Sequence, residues 1–260
     1  MRSAFINALG QIGGPEATAL MVQTLQSTTL PSEIAQLAQS LEQSAPGQYR
    51  QQTLNAVNEV LNMASNGQLP ADWDVGALFK VVQAYGDATA AAALDQLQGP
   101  YKYYTTMGIA GLPDGQGVPT LIRETQEASS GGKRDFAYQM LAQMATQYAD
   151  AGSALLGQAK ANQIPDSVWQ KIATGLAGDQ YQIGAPPTQG SAAADNIPGL
   201  KTYHIGSGNQ NFYSLPVWAV ADNQIQQRLD LIDQLLASTS SPAAITALQA
   251  ARATLAQRPK

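Results

Sequence analysis

Cysteine is absent from the 260-residue sequence, and histidine occurs only once, as His204. Without a thiol there is no disulfide, no thiolate nucleophile and no cysteine-ligated zinc. His204 has no second histidine to join it, and no carboxylate lies within about four residues of it in the sequence. We therefore interpret it as a structural or surface side chain and not as a general base or metal ligand. The sequence predicts neither a metal nor a cofactor.

Charge is also scarce, since charged residues make up 13% of the chain, about half of the usual share. The net charge is −5, and among the 14 Lys and Arg residues only Lys133 and Arg134 are adjacent. A nucleic-acid-binding face needs clustered basic residues that displace counterions from phosphates. The composition therefore excludes nucleic acid as a partner. No apolar run approaches the roughly 18 residues of a membrane-spanning helix, so no membrane span is predicted.

Familiar catalytic motifs are missing as well. No G-x-S-x-G nucleophile elbow occurs, and the glycine-rich stretch 206–208 lacks the lysine and the spacing of a phosphate-binding loop. Asp72 and Asp74 follow Pro70, where carboxylates stabilise a helix start through the helix dipole. We interpret them in that way and not as the paired carboxylates of a glycosidase. The sequence therefore predicts a protein that is not an enzyme.

What the sequence does contain is a repeated plan of amphipathic helix, tight turn and amphipathic helix. Phe5, Ile6, Leu9 and Ile12 recur at helical spacing, and the turn 13–15 that follows combines helix-ending glycine with helix-starting proline. Five stretches share this plan: 4–26, 32–64, 78–98, 103–126 and 137–160. A single helical hairpin cannot bury its apolar face alone, so neighbouring hairpins are expected to stack on one another.

The stretch ALGQIGGPEA at 8–17 and the leucine-spaced helix after it resemble the HEAT-repeat signature. The resemblance covers about residues 2–177 and is best in 4–25, while the later repeats match more loosely. The basic residue that is usual in the family's second helix is replaced here, mostly by Gln and Ala. The resemblance implies an all-α fold, an α–α superhelix (solenoid) of about five helical pairs. It also implies an extended partner-binding surface, and it implies no reaction.

The helical pattern changes along the chain and predicts three domains. Residues 1–177 form the HEAT-like repeats. Residues 178–221 are rich in Gly and Pro without a helical stripe, and they predict an irregular excursion that packs on the solenoid through its aromatic side chains. Residues 222–260 return to a clean stripe, with Ser241 and Pro242 as a helix start, and they predict a C-terminal helical hairpin that caps the stack.

Six side chains form the predicted interaction surface, in two groups: Tyr101, Tyr103 and Tyr104, and then Tyr203, His204 and Tyr213. The first group crowds one helix start, and three tyrosines within four positions cannot all face a core on one side of a helix. Exposed tyrosine is favoured at protein interfaces. The second group lies in the excursion, and it supplies the residues of an active site at 181–221 in the alternative that the chain is an enzyme.

These observations predict a non-catalytic, protein- or peptide-binding solenoid, the C-terminal part of a longer bacterial protein. Because the chain begins inside a helical pattern, we expect further residues before Met1. One alternative is an inert scaffold or spacer, which the low charge and the Gln- and Ala-rich helix faces suit; the other is the enzyme with a site at 181–221. The lack of cysteine favours an extracytoplasmic compartment, periplasmic or secreted, although the sequence shows no signal peptide. The identity of the partner stays open.

Overall fold

The computed structural model describes residues 2–70, 73, 75–97, 102–127, 131–178, 200–204, 212–216 and 222–258. These residues form thirteen α-helices, which confirms the predicted all-α class. The first seven helices are α1 (Arg2–Ile12), α2 (Gly14–Ser27), α3 (Pro31–Ser44), α4 (Arg50–Ser65), α5 (Gly76–Tyr85), α6 (Ala88–Asp95) and α7 (Lys102–Ala110). The other six are α8 (Val118–Gln126), α9 (Gly131–Met144), α10 (Ala149–Lys160), α11 (Trp169–Ala177), α12 (Asp222–Ser238) and α13 (Pro242–Ala256).

The part of the chain that is predicted to be irregular contains two short strands. Strand β1 (Leu200–His204) and strand β2 (Phe212–Pro216) pair in a two-stranded sheet. The prediction of irregular structure for 178–221 is therefore wrong for these two segments, which consist largely of aromatic, β-branched and other apolar residues that suit a pleated surface. The remainder of the excursion, 179–199, 205–211 and 217–221, lies outside the described residues.

The helices divide into two compact units. The first unit contains Met1–Asp114, with α1 to α7, together with most of the two strands. The second unit contains α8 to α13. The boundary lies at Asp114, inside the stretch 1–177 that the sequence assigns to one repeat domain.

Helix α3 is the centre of the first unit. It packs against α1, α2, α4 and α5, because its stripe of Ile34, Leu37 and Leu41 is completely buried. Helix α7 packs against α5 and α6. Successive helices therefore bury their apolar stripes against their neighbours, as stacking of the hairpins requires.

The turn between α1 and α2 has the backbone that its glycines predict. Gly13 and Gly14 have φ angles of 64° and 82°, in the left-handed region that side chains with a Cβ rarely adopt. The apolar stripe predicted for α1 is only half buried. Ile6 and Leu9 lie in the core, whereas Phe5 and Ile12 are 54% and 75% exposed.

Asp87 caps the N-terminus of α6, and its carboxylate accepts hydrogen bonds from the backbone N–H groups of Thr89 and Ala90. The Thr89 hydroxyl and these N–H groups lower the pKa of Asp87. We expect Asp87→Ala to reduce the free energy of unfolding by about 0.5–2 kcal/mol, the usual value of an N-cap. Because the folded-state pKa is depressed, the difference from the wild type should be full above about pH 4 and shrink as the pH falls further.

Urea denaturation of the wild type and of the Asp87→Ala variant, at neutral pH and in acid, measures the difference in their free energies of unfolding. Asp230→Ala is the control, since Asp230 is an exposed residue inside α12 whose carboxylate accepts from the Gln226 side chain and caps no helix N-terminus. Equal destabilisation of the Asp87→Ala variant across the whole acid range would contradict an electrostatic cap.

Helices α9 and α11 form the centre of the second unit. They pack against each other, and α9 also packs on α8 and α10 while α11 packs on α13. Trp169, at the start of α11, is 2% exposed and lies in the core of this unit. Helices α12 and α13 pack together, and the Ser241 hydroxyl caps α13 by accepting from the N–H of Ala244.

A buried arginine joins α12 to the ends of α9 and α11. Arg228 is 1% exposed, and its guanidinium donates to the carbonyls of Gly175 at 3.0 Å, Leu176 at 2.9 Å and Gln143 at 2.8 Å. These carbonyls belong to the last turns of the two helices, where carbonyls lack a partner within their own helix. The Gly175 carbonyl also accepts from the N–H of Gly178 at 3.2 Å. Burial, followed by the positive charge of Arg258, lowers the pKa of Arg228 to about 10. The guanidinium therefore stays charged at neutral pH.

None of the described helices combines the length and the apolar character that crossing a membrane requires.

Candidate functional site

A cavity of the second unit lies between α8, α9 and α10 and has a volume of about 530 Å³. We call it the α8–α10 cleft. Its lining residues come from the C-terminal end of α8, from α9, from the end of α10 and from the loop after α10: Thr125, Gln126, Glu127, Arg134, Tyr138, Gln158, Gln163 and Pro165. Ligand pockets in proteins are usually of roughly 300–1,000 Å³, so the cleft has the size of a binding site.

A chain of hydrogen bonds at the base of the cleft connects α8 to α10. The amide nitrogen Nε2 of Gln158 donates to the hydroxyl of Thr125 at 2.9 Å, and that hydroxyl donates to the carbonyl of Ile122 at 2.6 Å. Thr125 is the penultimate residue of α8, and Gln158 lies two residues before the end of α10. The bond therefore brings the C-terminal ends of both helices together, and these ends carry partial negative charge.

The same chain fixes the orientation of the Gln158 amide. A threonine hydroxyl has one proton and two lone pairs, and the proton of Thr125 is committed to the carbonyl of Ile122. Thr125 must therefore accept from Gln158, so Nε2 points to Thr125 and Oε1 points away from it. Gln158 as a whole is only 6% exposed. Its Oε1 is buried and has no hydrogen-bond donor among the described residues.

Tyr138 forms the apolar wall of the cleft on α9. It is 2% exposed. Burial raises the pKa of Tyr138, so the phenol is neutral at physiological pH.

The charged residues of the cleft already have partners of opposite sign. Arg134 donates from Nε at 3.3 Å and from Nη2 at 3.1 Å to Asp135, which also pairs with Lys171 at 3.2 Å. Glu127, whose side chain is 38% exposed, pairs with Arg123 at 3.4 Å. The cleft therefore carries one compensated cation and one compensated anion, and its buried part is uncharged.

A smaller cavity of about 330 Å³ lies in the first unit, between the end of α2 and α4. Thr28 lines it, but its hydroxyl already donates to Glu33 at 2.6 Å and accepts from the N–H of Leu30 at 3.2 Å. Unlike Gln158 in the α8–α10 cleft, this hydroxyl does not need a further partner. The larger cavity is therefore the stronger candidate site.

The structure does not describe the side chains of the six residues that the sequence predicted as an interaction surface. Tyr101 lies outside the described residues. Tyr103 and Tyr104 belong to α7, Tyr203 and His204 to β1, and Tyr213 to β2, and the side chains of these five lie outside the described part of the structure. Their proposed role as a contact surface stays a prediction.

Sequence reasoning missed the cleft because glutamine and threonine have no distinctive chemistry. One signal was present. Two helices place one apolar and one polar residue at stripe positions that face the core: α8 has Leu121 and Thr125, and α10 has Leu155 and Gln158. A polar residue in the apolar stripe of two adjacent helices indicates a buried hydrogen-bonded pair, which is what these residues form.

Comparisons of the chain with protein-family models, with curated proteins and with solved structures find no match. Within the described residues, no group of three or more His, Cys, Asp or Glu side chains is placed to hold a metal ion. The geometry of the α8–α10 cleft is therefore the starting point for the function of this chain.

Proposed function

We propose that the chain is a non-catalytic, HEAT-like α-solenoid module that binds a protein or peptide segment in the α8–α10 cleft. The HEAT-like assignment is supported by the resemblance of 4–25 and by helices that stack through their apolar stripes within each unit. Binding without catalysis suits a cleft lined by amides, hydroxyls and compensated charges.

The observation that carries the proposal is the cleft itself, a cavity of about 530 Å³ whose lining includes the side chains of Gln126, Gln158 and Gln163. Peptides are suitable ligands, because their main chain offers both N–H and C=O groups to the glutamines of the cleft.

Selection from a phage-displayed random peptide library on the immobilised chain tests the proposal. Affinities of the selected peptides are then measured by fluorescence polarisation. The exposed Gln163 lies at the cleft, and we expect Gln163→Trp, which blocks the cleft, to weaken binding at least tenfold. A tenfold loss corresponds to about 1.4 kcal/mol of binding free energy.

Gln170→Trp is the matched control, since Gln170 is an equally exposed glutamine of the same unit, on α11, that does not line the cleft. It should leave the affinity unchanged. Selection that yields no peptide, or peptides that bind the Gln163→Trp variant as tightly as the wild type, would favour the alternative of an inert scaffold.

A further inference from the structure

The large apolar side chains that the described structure leaves exposed are concentrated on α1 and α2. Phe5 is 54% exposed, Ile12 75% and Leu20 45%. Phe5 and Ile12 are two helical turns apart, and the exposed Ala8 lies between them, so these three share one side of α1. We call Phe5, Ala8 and Ile12 the α1 strip. Single exposed apolar residues are usual on a protein surface, whereas a contiguous apolar strip indicates a contact surface.

The other sides of α1 are already used within the first unit. Ile6 and Leu9 lie in the core. The hydroxyl of Ser3 donates to Oε1 of Gln36 on α3 at 2.9 Å. The amide nitrogen of Gln36 in turn donates to the Ser3 carbonyl and to Oδ1 of Asn7. These contacts fix the rotation of α1 about its axis, so the α1 strip stays on the exposed side of the helix.

The two ends of the α1 strip carry charges of opposite sign. Arg2, at the start of α1, is three residues before Phe5. Its side chain is 77% exposed, and its contact with Glu33 is long, at 3.8 Å. Glu16, in the first turn of α2, is exposed and comes four residues after Ile12. The α1 strip therefore has a cation just before it and an anion just after it, at nearly equal distances along the chain.

This order of groups is self-complementary when two copies of α1 meet antiparallel, about a two-fold axis near Ala8. Phe5 of each copy then faces Ile12 of the other. Arg2 of each copy likewise faces Glu16 of the other, whereas a parallel arrangement would oppose Arg2 to Arg2. A partner that only covers apolar surface would use neither charge, so the charges favour a second copy of this chain as the occupant.

We propose that two copies of this chain form a symmetric dimer through antiparallel contact of their α1 strips. The interface is isologous, so each contact occurs twice. The dimer goes beyond the proposed function, because it uses a surface of the first unit, whereas the α8–α10 cleft belongs to the second. Since the α1 strip is small, we expect a weak and reversible dimer.

Sedimentation velocity of the full chain at increasing protein concentrations tests the proposal. We expect a monomer–dimer equilibrium that Ile12→Glu weakens at least tenfold, because the contact would bury an unpaired carboxylate. Ala250→Glu is the control, since it adds the same charge at an exposed position of α13, and it should leave the equilibrium unchanged. A wild type that sediments as a monomer at every concentration would overturn the proposal, as would a dimer that tolerates Ile12→Glu.

Charge reversal tests the antiparallel arrangement. In low-salt buffer, where surface charges are least screened, Arg2→Glu opposes two acidic pairs in the dimer and Glu16→Arg two basic pairs. Each variant alone should therefore dimerise at least tenfold more weakly. An equimolar mixture of the two variants restores both opposite-charge pairs and should dimerise with nearly the wild-type affinity.

Circular dichroism of each variant checks that the helices are retained. Absence of recovery in the mixture would mean that Arg2 and Glu16 do not face each other, and the antiparallel dimer would be wrong. Peptide binding by the α8–α10 cleft is measured separately with Gln163→Trp, so failure of the dimer and failure of the proposed function give different results.

Discussion

Replacement of Arg228 by methionine is expected to lower the free energy of unfolding by at least about 2 kcal/mol. The carbonyl oxygens of Gly175, Leu176 and Gln143 would lose a charged donor. Gly175 keeps the N–H of Gly178, whereas the other two carbonyls lose the donor that the described structure gives them, at a cost of roughly 1–3 kcal/mol each. Methionine fills a similar volume, so the loss reports mainly on hydrogen bonds and not on a cavity. Urea denaturation followed by circular dichroism measures the change.

Arg252→Met is the control. Arg252 lies on α13 of the same unit and pairs with Asp233 at 2.7 Å, but both side chains are about half exposed. An exposed ion pair contributes about 0–1 kcal/mol, so this variant should have nearly wild-type stability. If the Arg228→Met variant were as stable as the wild type, the desolvation of the buried guanidinium would offset its hydrogen bonds. The role assigned to Arg228 would then be wrong.

The arginine also shows which part of the fold can be predicted from sequence. Helix α12 is predictable from its local apolar stripe, and the start of α13 from Ser241 and Pro242, because these signals lie within a few residues of one another. The carbonyls that Arg228 contacts are more than fifty positions earlier in the chain. Nothing in the local sequence distinguishes Arg228 from a solvated arginine.

The turns show the same limit at shorter range. The turn at Gly13 is marked by glycine and proline, and its position is predicted correctly. Between α9 and α10 the sequence predicts the turn at Ala149 and Asp150, whereas α9 ends at Met144 and α10 already begins at Ala149. Residues 145–148 contain neither glycine nor proline, so packing, and not local propensity, ends helix α9.

The candidate site depends on contacts between helices that are distant in sequence. Thr125 and Gln158 are 33 positions apart, and only the stacking of α8, α9 and α10 makes their side chains neighbours. The sequence directs attention to large aromatic side chains, since these are the usual anchors of interfaces. The cleft instead uses small amides and hydroxyls, whose role follows from burial and hydrogen-bond geometry.

Helices α9 and α11 approach each other so closely that one glycine is required between them. A Cβ atom at Gly175 would lie 2.6 Å from the carbonyl oxygen of Gln139 and 2.9 Å from the Cβ of Ala142. The first of these atoms belongs to a helix backbone and cannot rotate away. The carbonyl of Gly175 is also held by Arg228 at 3.0 Å, so α11 is fixed from both sides.

We expect Gly175→Ala to destabilise the protein by about 1–3 kcal/mol, the usual cost of overpacking a core, although alanine is the better helix former. Gly157→Ala on α10 is the matched control, since a Cβ at Gly157 meets nothing within 4 Å. That variant should gain about 0.5–1 kcal/mol from helix propensity alone. Urea denaturation of both variants measures the two changes, and hydrogen exchange of α9 and α11 locates the first. If the Gly175→Ala variant were as stable as the wild type, the helices could separate by a few tenths of an ångström without loss, and the close approach would have no energetic role.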